Sequence, residues 1–258
     1  MSEPHLRTVY RIWRQTYEAC QQVGPATGRN PLLASNGPSL VERALFDGLG
    51  VALGVPYHTL LRDNLIGIDL GDIHAELAGV APIDVIPSRP LDEVYLRHTV
   101  GLTDPIRTAD IVAESRLHDG LPQSLEEYID RHRLRYFKIK VGGDVDADAE
   151  RLDRIADILP NDDITISLDG NEQYDDPADL EELLNRLQSG CASTRRLYDA
   201  ILYLEQPLDR RVALAARSTD AVSALSERKP MVIDESDETL TTFKEAVGHG
   251  YRGVSSKA

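Results

Sequence analysis

Tyr136-Phe137-Lys138-Ile139-Lys140-Val141-Gly142 is the stretch on which the reading of this chain turns. Successive side chains of a strand point to opposite faces, so Lys138 and Lys140 share one face while Phe137, Ile139 and Val141 share the other. Such a strand needs a helical layer behind it and a polar site in front. Four further runs repeat the design. Ile164, Ile166 and Leu168 oppose Thr165, Ser167 and Asp169; Leu202 and Leu204 oppose Tyr203 and Glu205. Met231 and Ile233 oppose Val232 and Asp234, and Gly253-Val254-Ser255-Ser256 leads to Lys257. In each, the apolar set is expected to pack on helices, and a Lys, Asp or Glu stands at or near the carboxyl end. A (β/α) barrel builds its active site in this way, from several strand ends on one face. Three acids and three lysines so arranged point to a divalent metal flanked by amine acid/base groups.

The sequence between these runs is helical. Asp176-Pro177, then Leu180, Leu183, Leu184 and Leu187, then Gly190, give cap, first-turn proline, apolar stripe and terminating glycine in order. Ala149, Leu152, Ile155, Ala156 and Leu159 form a second stripe before Pro160, and Leu240, Phe243, Ala246 and Val247 a third before Gly248 and Gly250. Strands alternating with such helices imply parallel βα units. From Asp169 onward the charged strand ends are spaced by roughly the ~30 residues of one such unit. The first ninety residues read differently, as helices without a strand. One helix is expected from about His5 to Gln22. Another is expected to start at a capping box, Ser39-Leu40-Val41-Glu42, followed by Ala44, Leu45, Leu49, Ala52 and Leu53. Gly67 to Pro90 reads as a linker or surface excursion. Residues 1–90 and 91–258 are thus the two expected domains.

At 258 residues, 41% hydrophobic and 28% charged, the chain can bury a substantial core. A formal net charge of -15 argues against nucleic acid or an anionic membrane as partner. Cys20 and Cys191 lie in no metal-binding or disulfide pattern, and the seven histidines show no ligand spacing. Asp169-Gly170-Asn171 fails as a calcium loop, with Tyr174 at position six and Leu180 at position twelve. Arg131-His132-Arg133-Leu134-Arg135 reads as a solvated helix end. No signal-peptide pattern and no apolar run of about 20 residues is present, so a soluble, cytoplasmic protein is expected.

Taken together, Lys138-Ile139-Lys140, Asp169, Glu205, Asp234 and Lys257 resemble the active-site set of the enolase superfamily, in the mandelate racemase/muconate lactonizing enzyme family and its muconate-lactonising subgroup. Glu42 to Gly50 and Ala52 to Pro56 resemble a helix of that family's capping domain. The resemblance implies an α/β fold: an incomplete (β/α)8 TIM-type barrel with about six strands present, preceded by a helical part of the capping domain. It implies that Asp169, Glu205 and Asp234 bind Mg²⁺, with Mn²⁺ as the alternative. Lys140 and Lys257 would face each other across a small carboxylate substrate, whose α-proton is removed to give a metal-stabilised enediolate. Cycloisomerisation, epimerisation and dehydration share this residue set.

Three carboxylates without His or Cys suit a hard cation. The Lys138 ammonium, two residues from Lys140 on one face, would lower the pKa of Lys140 toward that of a working base. Asn171 and Glu235 are expected to support the ligands or substrate through hydrogen bonds. The family's barrel has two strands beyond the sixth, and its capping domain opens with a small antiparallel sheet. Neither is read here, so the alternative expectation is an inactive fragment, or one chain of a split barrel pairing with a complementary fragment or with a second copy.

Overall fold

The computed structural model describes residues 8–161 and 163–256. Lys257, one of the expected catalytic lysines, lies outside the described residues. The chain divides into two compact units, one from the N-terminus to Val94 together with Glu238–Leu240, the other Tyr95–Asp237 with Thr241 onward.

The first unit contains α1 (Val9–Ala26), α2 (Pro31–Leu53), α3 (Tyr57–Arg62) and the short α4 (Pro82–Val85), with single 3-10 turns at Leu70–Asp72 and Ala75–Leu77. No strand occurs among its described residues. The expected helix start at Ser39 is corrected. Asn30 caps α2 by accepting a hydrogen bond from the Leu33 amide, and Pro31 sits in the first turn. Ser39 therefore lies inside the helix, where its hydroxyl turns back to the Asn36 carbonyl at 2.8 Å. Its spacing to Glu42 is one helical turn and not a cap.

The second unit is a six-stranded parallel sheet in the order β1 (Arg97–Val100), β2 (Tyr136–Lys140), β3 (Thr165–Asp169), β4 (Ile201–Glu205), β5 (Met231–Ile233), β6 (Gly253–Val254). Helices lie between the strands: α5 (Leu125–His132), α6 (Val145–Ala156), α7 (Pro177–Ser189), α8 (Ala192–Ala200), α9 (Arg210–Ala213), α10 (Thr219–Arg228) and α11 (Thr242–Gly248). This is a partial TIM-type barrel. Sequential strands pair throughout, as parallel βα units require.

Strand parity decides the layers. Phe137 and Ile139 on β2, Ile166 on β3 and Ile233 on β5 are fully buried in one core with Leu152, Ile155, Leu180, Leu183, Leu184 and Leu187 of α6 and α7. Each large apolar side chain removed from water contributes about 1.5–3 kcal/mol, so this back layer holds the sheet together. On the opposite face the register puts Lys140 level with Asp169, and Asp169 level with Glu205. The charged residues thus form one row across three adjacent strands.

Two expectations fail in this unit. Leu202 is 58% exposed, because Ile166 pairs with Ile201 and Ser167 with Tyr203, leaving Leu202 as a bulge. On α11 only Ala246 of the expected stripe is buried, while Phe243 and Val247 are exposed. Seven residues make barely two turns, and Leu240 precedes the helix. The basic run ends α5 as read: Arg133 takes a left-handed conformation (φ 51) at its C-cap.

Candidate active site

The cluster is built from strand ends. Lys140, Asp169 and Glu205 are the last residues of β2, β3 and β4, and Asp234 follows β5 directly. Asp169 and Glu205 are fully buried and Asp234 is 7% exposed. Carboxylates so buried require compensating charge or hydrogen bonds. The Lys138 ammonium lies 2.7 Å from both Asp169 Oδ2 and Glu205 Oε2, and Lys140 Nζ lies 2.6 Å from Asp169 Oδ2 and donates to Asn171 Oδ1.

These contacts set the charge states. Burial pushes the Lys138 amine down, but its bonds and charge contacts with Asp169 and Glu205 outweigh this and raise it above the usual lysine value. Burial likewise pushes the Glu205 carboxyl up. Hydrogen bonds from Lys138 and Ser255, a contact with Asp234 and the Lys138 charge override that and hold it at about 2. Lys138 is thus a fixed cation lying between Asp169 and the Glu205 anion.

The polar residues beside the row join it. Asn171 donates its side-chain amide to Glu235 Oε1 at 2.7 Å, and its backbone amide to Asp169 Oδ1 at 3.0 Å. Asn171 and Glu172 both have positive φ, at 40° and 69°. Non-glycine residues hold such angles only where their surroundings insist. Here Arg210 grips the Glu172 carboxylate in a two-pronged ion pair, Nε and Nη2 each donating at 2.7 Å. Gly170 leaves room for the same turn, since a Cβ there would sit 2.6 Å from the Pro207 backbone.

Two residues of weight were not singled out in the sequence. Gln206, fully buried, hydrogen-bonds the backbone of Asp234 and Ser236. The only sequence signal was a polar residue caught between Glu205 and a proline. Asp148, 4% exposed, accepts from the Gly142 and Gly143 amides at 2.7 and 2.9 Å and from the Tyr174 hydroxyl at 2.6 Å. It fastens the loop after β2, and only its place in the first turn of α6 hinted at this.

The donor set suits a hard divalent cation: three carboxylates at neighbouring strand ends, with no His or Cys. Glu235 Oε2, beside them, is buried without a hydrogen-bond partner among the described residues. Asp169 and Glu205 are compensated by Lys138 and Lys140 in this arrangement. Among the described residues no three Asp, Glu, His or Cys side chains are drawn together as a metal shell.

Residues 120–255 match the family described as enolase C-terminal domain-like. Among solved structures, a mandelate racemase/muconate lactonizing enzyme-like protein from Rubrobacter xylanophilus is 17% identical, covering 92% of this chain and 51% of that one, with a TM-score of 0.57. A mandelate racemase/muconate lactonizing enzyme from a marine actinobacterium is 15% identical over 93% of this chain and 54% of its own, TM-score 0.54. A muconate cycloisomerase from Pseudomonas fluorescens is 20% identical over 93% of this chain and 58% of its own, TM-score 0.50. These likenesses are of fold. This chain spans from 30% to 58% of the length of the solved relatives. No curated protein is matched. The matched family segment takes in more than half of the chain, with β2 to β6 and every described member of the cluster, and the chain belongs to the enolase superfamily, in its mandelate racemase/muconate lactonizing enzyme family.

Proposed function

We propose that this chain carries the acid/base and cation-binding groups of an enzyme that removes a proton α to a carboxylate, as an isomerase, epimerase or lyase. The observation that carries this reading is the row Lys140, Asp169, Glu205, with Lys138 bridging the two carboxylates. Asp169, Glu205 and Asp234 are the residues that would hold Mg²⁺ or Mn²⁺. Such a cation supplies Lewis-acid charge against the extra negative charge of a deprotonated carboxylate, worth several kcal/mol.

The chain's own groups do the rest. An amine abstracts an α-proton only in its neutral form, and a free lysine titrates near ~10.4. Lys140 Nζ is now held on Asp169. Lys138, on the same strand face, bridges Asp169 and Glu205, which leaves Lys140 as the lysine at the end of β2. Lys140 is then the base on one face of the substrate, and Lys257 is the group proposed to return a proton on the other. Asn171, already shared between Lys140 and Glu235, keeps the Lys140 amine pointed at the row.

The test is solvent exchange. With Mg²⁺ present, the α-proton of a carboxylate from a broad panel should exchange with deuterium, and Lys140→Ala or EDTA should abolish it. A folded chain that binds Mg²⁺ yet exchanges no substrate would overturn the reading. A second reading rests on the sheet edges. β1 and β6 have one strand neighbour each among the described residues, and open edges recruit strands. Exchange that appears only on adding a complementary barrel chain would support it, and exchange by the chain alone would sink it.

A further inference from the structure

We infer that Gln206 is a positioning residue whose carboxamide fixes Asp234 relative to Glu205, a role that rests on the cation-binding reading above. Its side chain uses all four polar functions. Oε1 accepts from the Asp234 amide at 2.9 Å and the Ser236 amide at 3.0 Å. Nε2 donates to the Leu208 carbonyl and to Ser236 Oγ, each at 2.8 Å. Its backbone adds an N–H to the Val232 carbonyl at 2.8 Å, and its own carbonyl accepts from the Glu172 amide at 2.9 Å. One fully buried residue thus ties together the end of β4, the loop after β3 and the exit of β5.

The chemistry explains the residue type. Two amides to be accepted and two acceptors to be supplied, within one side chain, call for a primary amide; a carboxylate lacks the donors and an apolar chain lacks both. The backbone φ of 33° is an unusual angle for a residue with a side chain, and it precedes Pro207. That conformation aims the carboxamide across to β5. A merely structural amide would satisfy whatever loop lay near. This one bonds the backbone of Asp234 itself from the residue next to Glu205, so the two carboxylates share one strut.

The test uses the whole chain, with Mn²⁺ as probe and amide hydrogen exchange as the metal-free readout. Gln206→Met keeps the volume and removes all four bonds. It should speed exchange at Asp234 and Ser236 about tenfold beyond the residues of β5 and weaken Mn²⁺ binding about tenfold. Gln206→Glu keeps the acceptors and should restore slow exchange at both amides with most of the Mn²⁺ affinity. Ser226→Ala is the structural control: it removes the hydroxyl that accepts from the Met231 amide at 3.1 Å, at the far end of β5, and should leave Mn²⁺ affinity unchanged. If Gln206→Met does not fold, Ser236→Ala, which removes the hydroxyl partner of Nε2, should show the same pattern at about a two- to threefold level. Unchanged affinity and exchange in Gln206→Met overturn the proposal, as does an equal loss of affinity in Ser226→Ala. A folded wild-type chain that binds no Mn²⁺ overturns the cation reading instead. Exchange then decides the strut alone: faster exchange confined to residues 234–236 supports it, and no change overturns it.

Discussion

Helix α7 has 13 residues and buries four leucines, whereas α2 has 23 residues and buries only Pro38. The second helix is the more apolar of the two, yet Leu33, Leu40, Val41, Val51 and Leu53 are all more than half exposed. The difference lies in arrangement. On α7 the leucines recur at i, i+3, i+4 and i+7, so one stripe meets the core and the remainder is mostly polar or charged. On α2 apolar residues occur all round, and no single face collects them. Hydrophobic content thus does not measure what a helix contributes to a core; its phase against a neighbour does.

Phe137 is fully buried behind β2, and Phe137→Ala should cost about 3–5 kcal/mol by urea unfolding. Leu40, 58% exposed on α2, should cost no more than about 0.5 kcal/mol when replaced by Ala. A large loss in Leu40→Ala would mean that this face of α2 is covered in solution and that the contrast with α7 is false.

The next residue along β2 sharpens the contrast within a single strand, since Lys138 faces the opposite way. Removing one partner of a buried ion pair leaves uncompensated charge, which costs about 3 kcal/mol. Lys138→Met strands Glu205 in this way and leaves Asp169 with Lys140 as its lysine partner. In EDTA the variant should therefore be about 3 kcal/mol less stable than the parent. Saturating Mg²⁺ should recover most of that, because a ligand at about 100 times its dissociation constant adds about 2.7 kcal/mol. If Mg²⁺ stabilises the variant no more than the parent, the lysine and the cation do not compete for the same oxygens.

These two residues also mark what could be read from sequence. The opposite facing of Phe137 and Lys138, and the whole of α7 from Asp176 to Gly190, followed from local rules: period two in a strand, cap and stripe in a helix. Three features did not follow, because each is decided by residues outside the local pattern. By parity Leu202 reads as packing on the helices, but the pairing with β3 makes it a bulge. Ser39 and Glu42 had the spacing of a cap, yet Asn30 and Pro31 had already begun the helix. From sequence Lys138 reads mainly as a charge acting on Lys140; the register instead brings it onto Asp169 and Glu205. Gln206 shows the same limit, since its partner Ser236 lies 30 residues away.

The smallest predicted effect uses the two cysteines, one in each region, as reporters with opposite signs. Cys20 lies half-buried in α1 and should react faster with iodoacetamide as that helix unfolds. Cys191 is exposed at the N-cap of α8, and its thiol is lowered to about 7 by hydrogen bonds from Ser193 and then Thr194, each at 3.0 Å. At pH 7 roughly half of it is thiolate, against roughly 3% for an unfolded thiol near 8.5. The thiolate of higher pKa is the better nucleophile by about fourfold, with a Brønsted slope of about 0.4. The Cys191 rate should therefore fall about fourfold on unfolding, where an ordinary exposed thiol would hardly change or would quicken. Followed through a urea series at pH 7, the Cys20 rise should come at lower urea than the Cys191 fall, because α1 and α2 bury so little beside the sheet and its helices. Ser193→Ala should reduce the amplitude of the Cys191 change without moving its midpoint. A coincident midpoint for the two thiols would show that the poorly buried helices are as stable as the strand core, and would undo the comparison.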